Sequence, residues 1–505
     1  MESSISQHRN GVCSRIILGI GIIASLFIVT NAALGVWAGH EFTPTESIVA
    51  SEADTLAHFS ALYHDPNTYP YTISPYGPVF YCLSAFLQRC GCAPIQAGRL
   101  ISFLALFGVF WCVWRILTLL VENHHARLTG ILLVAASANV VAWGGIGQTD
   151  MLACFFSLAA FTTFLAWQQR PLPRSSPHLY WCGAFVLLAV FTKQTAVAAF
   201  IAIAVQMFAN NRRTARNWVV SVAIVAAITA LTINTLTSGQ YFANTVLANL
   251  NPLSAIKLQQ HIQQFLLATG GLLAVSLAGF TQTIQRRFTP LYLYSALALV
   301  IWLVTCPKIG SELNYQIESA VLLSICAAAA LDQLQFFPKL LANDVGWVPL
   351  LQIPLLLHLV LNFALSGKIV ALRIAGERIR RSEIVELAPY LTPAHGRVLS
   401  TNADLVLSAK RPLEIDPLSY TLLTNAGRIN PAPLLADLRA ARFGTIILDL
   451  NVFLPTLPKA ANLDTFFLPP PVLDQVRQHY SLVRHADGPY LEGNYVYQPR
   501  PVLKE

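Results

Sequence analysis

Carboxylates are scarce in this chain, and several of them crowd into one stretch. Asp and Glu make up 25 of 505 residues, yet Glu41, Glu46, Glu52, Asp54 and Asp65 all fall between Glu41 and Tyr81. The middle of that stretch reads SEADTLAHFSALYHDPNTYPYTISPYGPVFY. On a helix, Glu52 and Asp54 would point about 200° away from each other, so only one can address a given pocket. An amphipathic interfacial helix with Ile48, Leu56, Phe59 and Leu62 buried would explain the pattern without chemistry. The chemical alternative is a helix that offers a desolvated carboxylate, its pKa raised towards the range of a working base, to an acceptor hydroxyl.

Other residues could serve the same site. TYPYTISPYGPVFY (68–81) has its backbone fixed by Pro70, Pro75 and Pro78 and offers tyrosine hydroxyls, Tyr76 among them. An interfacial aromatic belt reads the same way. Asp150, in WGGIGQTDMLACFF, sits where an apolar helix begins, a position its charge also suits electrostatically. Lys193 interrupts a long apolar run in VFTKQTAVAAF; a cation there is costly and is usually paired or functional. With Gln194 it could bind a phosphate. CPKIGSELNYQIESAVLL (306–323) brings Lys308, Asn314, Tyr315 and Glu318 into a loop leading to a helix. His40, His58, His64 and His261 share no ligand spacing, so a divalent metal is neither required nor excluded.

The elements that must position these residues are membrane helices. The chain is 55% hydrophobic and 11% charged, where a soluble chain carries roughly 25% charged residues. About twelve apolar segments recur, near 15–38, 76–90, 98–120, 128–146, 150–168, 179–192, 195–210, 218–236, 264–283, 290–306, 318–336 and 346–366. Backbone groups in lipid must be paired within the segment, so these are helices. The fold class is a polytopic α-helical membrane protein with about 11–13 transmembrane helices. Residues 1–367 form the transmembrane domain, with an outer loop at 40–76.

The net charge of +8 does not indicate nucleic acid: Arg9 and Arg15, Arg212, Arg213 and Arg216, and Arg286 and Arg287 flank spans, as the positive-inside rule expects. Nine cysteines lie mostly in apolar segments and imply no disulfide framework. Cys90-Gly91-Cys92 lacks the partner pair of a metal site. Arg15–Ala38 is too long for a cleaved signal and reads as a signal-anchor helix.

With the N-terminus cytoplasmic, Glu41–Tyr76, Ser238–His261, Pro307–Glu318 and the tail after Gly367 face outside, and Lys339 inside. Two arrangements satisfy the region between. If 179–210 makes two short passes, Asp150 is outside and one preceding segment, 76–90, does not cross. If 179–210 is one long pass, Asp150 is inside.

Residues 368–505 differ in texture. GRVLS, GTIILDL, YSLVRHA and NYVYQP read as strands, and 432–442 and 470–480 as helices. This is a small extracytoplasmic α/β domain.

In their order, SEAD (51–54), SPYGPVFY, AGRLIS (97–102), QTDMLA (148–153), FTKQT (191–195) and KIGSELNYQIE (308–318) resemble the GT-C superfamily of membrane glycosyltransferases. The likeness is to its bacterial branch of protein mannosyltransferase and lipid A aminoarabinose transferase types. It covers roughly residues 15–340. The resemblance implies transfer of a sugar from a polyprenyl-phosphate or polyprenyl-diphosphate donor to a glycan, lipid or protein acceptor, with inversion, at the outer face of a bacterial inner membrane. It implies Glu52 as general base with Asp54 the alternate, and Asp150 orienting acceptor or metal. Lys193 and Gln194 would hold the leaving phosphate, and Tyr76, Asn314, Tyr315 and Glu318 would line the pocket. Relatives often carry Asp at the head of the first loop and Arg before the second acid; this chain has Glu52 with Asp54, and Gln148-Thr149. The rival reading is a non-catalytic lipid-carrier flippase or polysaccharide export component, which would spread charge along several helices. An ion-coupled transporter would show internal repeats.

Overall fold

The computed structural model describes residues 19–501 except 25, 32, 36–37, 171–176, 282–287, 335–347, 454–467 and 489–492. Arg9, Arg15, Arg286, Arg287 and Lys339, used above for topology, lie outside the described residues. Among the described residues six helices are long and apolar enough to cross a membrane. Four shorter apolar helices accompany them.

An apolar helix α1 (Gly19–Gly35) leads to the acidic stretch. That stretch folds as α2 (Pro44–Ala57) and, after a loop, α3 (Pro78–Arg89); α4 (Pro94–Leu120) follows. Each of these three helices begins on a proline, which lacks the N–H that a first turn leaves unpaired. Both ends of α3 stay beside α2. At its C-terminus Arg89 donates to the Ala57 and Leu56 carbonyls at 2.8 and 3.0 Å, capping α2. The next helix, α4, immediately meets α2 again through Arg99 and Glu46. Residues 78–89 therefore run beside α2 from end to end.

The chain then runs away along α4 and returns through α5 (His124–Ala136) and α6 (Ala138–Trp143). It leaves by α7 (Thr149–Gln168) and comes back by α8 (Pro177–Thr192). It turns at Lys193 and leaves by α9 (Ala198–Asn210). The helices α10 (Arg212–Leu236), α11 (Gln240–Thr245), α12 (Ala255–Thr281), α13 (Thr289–Thr305), α14 (Ile317–Gln333) and α15 (Val348–Leu387) complete the bundle. At one end, Asp332 accepts from the Glu122 and Asn123 amides. At the other, Asn244 ties α11 to the first loop through Ser74 N and His64 O. The turns at 144–148, 193–197, 237–254 and 306–316 gather at this second end with the 38–77 loop.

Burial separates the helices by role. Only 6% of the apolar window of α10 is buried and Ile224, Ile228 and Leu231 are exposed, the pattern of a lipid-facing span. The window of α14 is 83% buried, at the centre of the bundle.

Helix α15 runs 40 residues, passing without a break through position 367 into the tail. There β1 (Arg397–Ser400), α16 (Ala403–Ser408), α17 (Pro417–Asn425), α18 (Ala432–Arg439), β2 (Phe443–Leu448), α19 (Pro470–His479), β3 (Tyr480–Ala486) and β4 (Asn494–Pro499) follow. The sheet order is β1-β2-β4-β3, with β1 and β2 parallel and the other pairs antiparallel. The four expected strands and both expected helices are present. The first loop enters this domain: Tyr71 bridges Ile415, and the Tyr71 and Ile73 side chains join its core beside Leu399 and Tyr420. A buried arginine fastens the same junction. Arg380 of α15 holds Glu41 of the loop at 3.0 Å, Glu383 at 2.8 Å and Asp404 of α16 at 3.3 Å.

Candidate active site

The sequence candidates fall into two groups on either side of α2. Glu52 is buried against α3, where it accepts a 2.5 Å hydrogen bond from the Tyr81 hydroxyl; its Oε1 has no partner among the described residues. Burial pushes its pKa well above the ordinary carboxylate value, with the Tyr81 bond opposing and Asp416 of the tail adding to the rise. Asp54 points to the other side, about a third exposed, 3.5 Å from His58. Burial raises its pKa and His58 partly offsets that.

Next to the Glu52 side lies a polar cluster drawn from three turns. Lys193, in the turn between α8 and α9, pairs with Asp150 in the first turn of α7. Asn314 donates to Asp150 Oδ2 at 2.9 Å and to Gln148 Oε1 at 3.2 Å. The Lys193 ammonium sits 4.0 Å over the Tyr315 ring. Asp150, Lys193, Asn314, Tyr315 and Glu318 line one cavity of about 50 Å³. Glu318 also accepts from Tyr294 at 2.5 Å. Tyr76 joins the two groups, within electrostatic reach of Glu52, Asp150 and Tyr315. Its carbonyl is held by the Tyr63 hydroxyl at 2.9 Å.

Close backbone packing makes this convergence feasible. A Cβ on Gly77 would overlap the Phe191 carbonyl oxygen, so glycine there lets the Tyr76 turn lie against the end of α8, two residues before Lys193. Gly98 and Gly147 meet the same way, a Cβ on Gly98 falling 3.0 Å from Gly147 Cα.

Two expected residues sit elsewhere. The Gln194 amide donates to the carbonyls of Pro75 and Thr245 at 2.9 and 3.2 Å, holding the Tyr76 turn in place. Lys308 does not line the cavity; burial and the nearby Lys193 charge hold its pKa below the usual lysine value. Among the described residues no three His, Cys, Asp or Glu side chains are arranged to hold a metal. His40, His58, His64 and His261 lie beside Asp404, Asp54, Thr72 and Ser311 respectively.

The sequence reading passed over the residue that anchors α2. Arg99 donates to both oxygens of Glu46 at 2.8 Å and to the Gly35, Ala38 and His40 carbonyls at 2.6–2.7 Å. Glu46 also accepts from Gly147 N at 2.7 Å and Phe42 N at 2.9 Å. Burial alone would raise the Glu46 pKa, but Arg99 and these amides outweigh it and hold the carboxyl below its usual value. Arg99 opens an apolar segment as conspicuously as Lys193 interrupts one, which was the available signal. Arg115, a second cation within α4, is exposed. Removing the guanidinium strands a buried carboxylate, so Arg99→Ala is expected to cost about 3–5 kcal/mol. A melting temperature near wild type in detergent would contradict this role. Gln148 completes the anchoring, donating to Thr45 and Thr43 at the start of α2 while accepting from Asn314.

Known proteins share this architecture. Residues 75–235 match the family model described as dolichyl-phosphate-mannose-protein mannosyltransferase. No curated protein matches the sequence. Among solved structures, ArnT from Cupriavidus metallidurans bound to undecaprenyl phosphate aligns over 96% of this chain and 98% of its own, with a TM-score of 0.64 at 12% identity. AglB, the oligosaccharyltransferase of Archaeoglobus fulgidus in complex with an inhibitory peptide and a dolichol-phosphate, aligns over 86% and 69%, with a TM-score of 0.54 at 13% identity. The mycobacterial arabinofuranosyltransferase AftD gives 0.51 at 15% identity, over 95% of this chain and 40% of its own. These matches bear out the fold implied by the order of the short motifs: this multi-pass membrane protein shares the fold of ArnT, AglB and AftD.

Proposed function

We propose that the protein transfers a sugar from a polyprenyl-phosphate donor to an acceptor hydroxyl by a single displacement with inversion. The observation that carries the reading is the buried Asp150–Lys193–Asn314–Tyr315 cluster, joined through Tyr76 to a carboxylate with an unpartnered oxygen. Glu52 takes the acceptor proton as the acceptor oxygen attacks the anomeric carbon. The bond from that carbon to the phosphate oxygen breaks, its electron pair staying with the departing polyprenyl phosphate. Lys193 opposes that growing negative charge as a fixed cation in a water-poor site. Asp150 and Asn314 set the position of the ammonium, and Gln194 holds the turn beside it. Asp54 is the alternate base. The ArnT and AglB structures contain a polyprenyl phosphate and a dolichol-phosphate, which supports a lipid-linked donor here.

The placement of Arg212, Arg213 and Arg216 at the end of the bundle away from the tail supports an outer-face site by the positive-inside rule. On that reading residues 1–367 form the membrane domain, 368–505 a soluble domain outside, and the membrane is a bacterial inner membrane. The test is radiolabelled transfer by the purified protein in liposomes, across a panel of polyprenyl-phosphate sugars. Release of free polyprenyl phosphate with one donor is expected. No turnover of any donor, with flipping of the lipid across the bilayer instead, would overturn the reading in favour of a flippase.

A further inference from the structure

A second cavity, of about 800 Å³, lies on the Asp54 side of α2, between that helix, the start of α4 and the turn after α16. Its size falls within the usual range of roughly 300–1,000 Å³ for ligand pockets. One wall is polar, made by Ser51, Asp54, Thr55, His58 and His64. The facing wall carries Lys410 and Arg411 from the tail, among Leu407, Pro412 and Leu413. Ile95, in the first turn of α4, adds apolar surface from the side of the membrane span.

The charges are unbalanced. Asp54 is the sole carboxylate among the lining residues, with the His58 ring 3.5 Å away. Lys410 is exposed and held in the left-handed region at φ 55° by the turn that ends α16. Arg411 donates to the Gly396 carbonyl, while its Nε is buried without a partner among the described residues. A guanidinium and an ammonium side by side suit a phosphate, which accepts several charge-assisted hydrogen bonds.

Depth points to an amphiphile. The cavity adjoins the first residues of α4, where a 27-residue apolar span begins. Beside it Phe59 is 85% exposed, with Arg89 stacked 3.6 Å over its ring, an arrangement suited to the headgroup region of a bilayer.

We infer that this cleft is a binding site, on the opposite face of α2 from the Glu52–Asp150–Lys193 centre, for the net-anionic, phosphate-bearing headgroup of an amphiphile. Its ligand wall is supplied by the tail, which gives that domain a role in binding. The inference rests on the reading of Glu52 as the base, since the alternate, Asp54, lines this cleft.

Titration of the full-length protein in detergent with dihexanoyl phosphatidylglycerol, dihexanoyl phosphatidylcholine and inorganic phosphate tests it. The anionic lipid is expected to bind at least about tenfold more tightly than the zwitterionic one. Lys410→Glu, an exposed change, removes that preference, and Lys410→Ala with Arg411→Ala does the same. Inorganic phosphate binding as tightly as the lipid, and losing affinity in Lys410→Glu, would support the same site with a free phosphate as its source. Equal affinity for the two lipids, or a preference that survives Lys410→Glu, would overturn the inference.

Discussion

Lys193→Ala is expected to reduce sugar transfer by about 10²–10³-fold, the usual cost of removing one fixed charge-stabilising group from an active site. The same change leaves Asp150 buried at 8% exposure without its cation. A stranded buried charge costs about 3–5 kcal/mol, so the variant should also melt earlier. Lys193→Met combined with Asp150→Leu separates the two effects. The double change removes both charges together and should recover much of the stability, because a well-packed apolar pair can replace a buried ion pair. Transfer should remain lost. Recovery of transfer along with stability would show that Lys193 serves the fold alone.

Glu52→Gln is expected to lower transfer by about 10²–10⁴-fold, the range general bases contribute. The wild-type pH profile should carry the mark of that residue. Burial raises the Glu52 pKa well above 4.5, so the carboxylate form is populated only above that raised value, and the rate should climb as pH rises through it. Stability runs the other way. The folded protein keeps a proton that the unfolded chain has released, so stability falls as pH rises from 4.5 towards the raised value. Tyr81→Phe removes the hydrogen bond that favours the carboxylate, so the rising limb should move to higher pH without vanishing. A wild-type profile that is flat above pH 4.5, unchanged in Tyr81→Phe, would contradict the assignment.

Much of the fold was legible because its signals are local. Apolar runs give the spans, and period-two patterns between Gly and Pro give GTIILDL and NYVYQP as strands β2 and β4. Opposite faces for Glu52 and Asp54 followed from helix geometry and hold in the structure. The roles of individual polar groups were less legible, because they depend on partners far along the chain. Gln194 looked like a phosphate ligand beside Lys193, but its amide meets Pro75, 119 positions away. Arg380 sits in a charge-rich stretch, IAGERIRRSEIVEL, that looks like an ordinary solvated helix; only the folded chain brings Glu41 and Asp404 to it. Likewise the α3 segment is apolar enough to resemble a short span. Its end is fixed beside α2 by Arg89, a contact no periodicity reveals.

The most direct test of the central claim is radiolabelled sugar transfer from a polyprenyl-phosphate donor in membranes carrying wild type, Glu52→Gln or Asp54→Asn at matched expression. The account predicts transfer by wild type, inverted at the anomeric carbon, with loss in Glu52→Gln and substantial retention in Asp54→Asn. Full transfer by Glu52→Gln would contradict it, and loss confined to Asp54→Asn would move the base to the opposite face of α2.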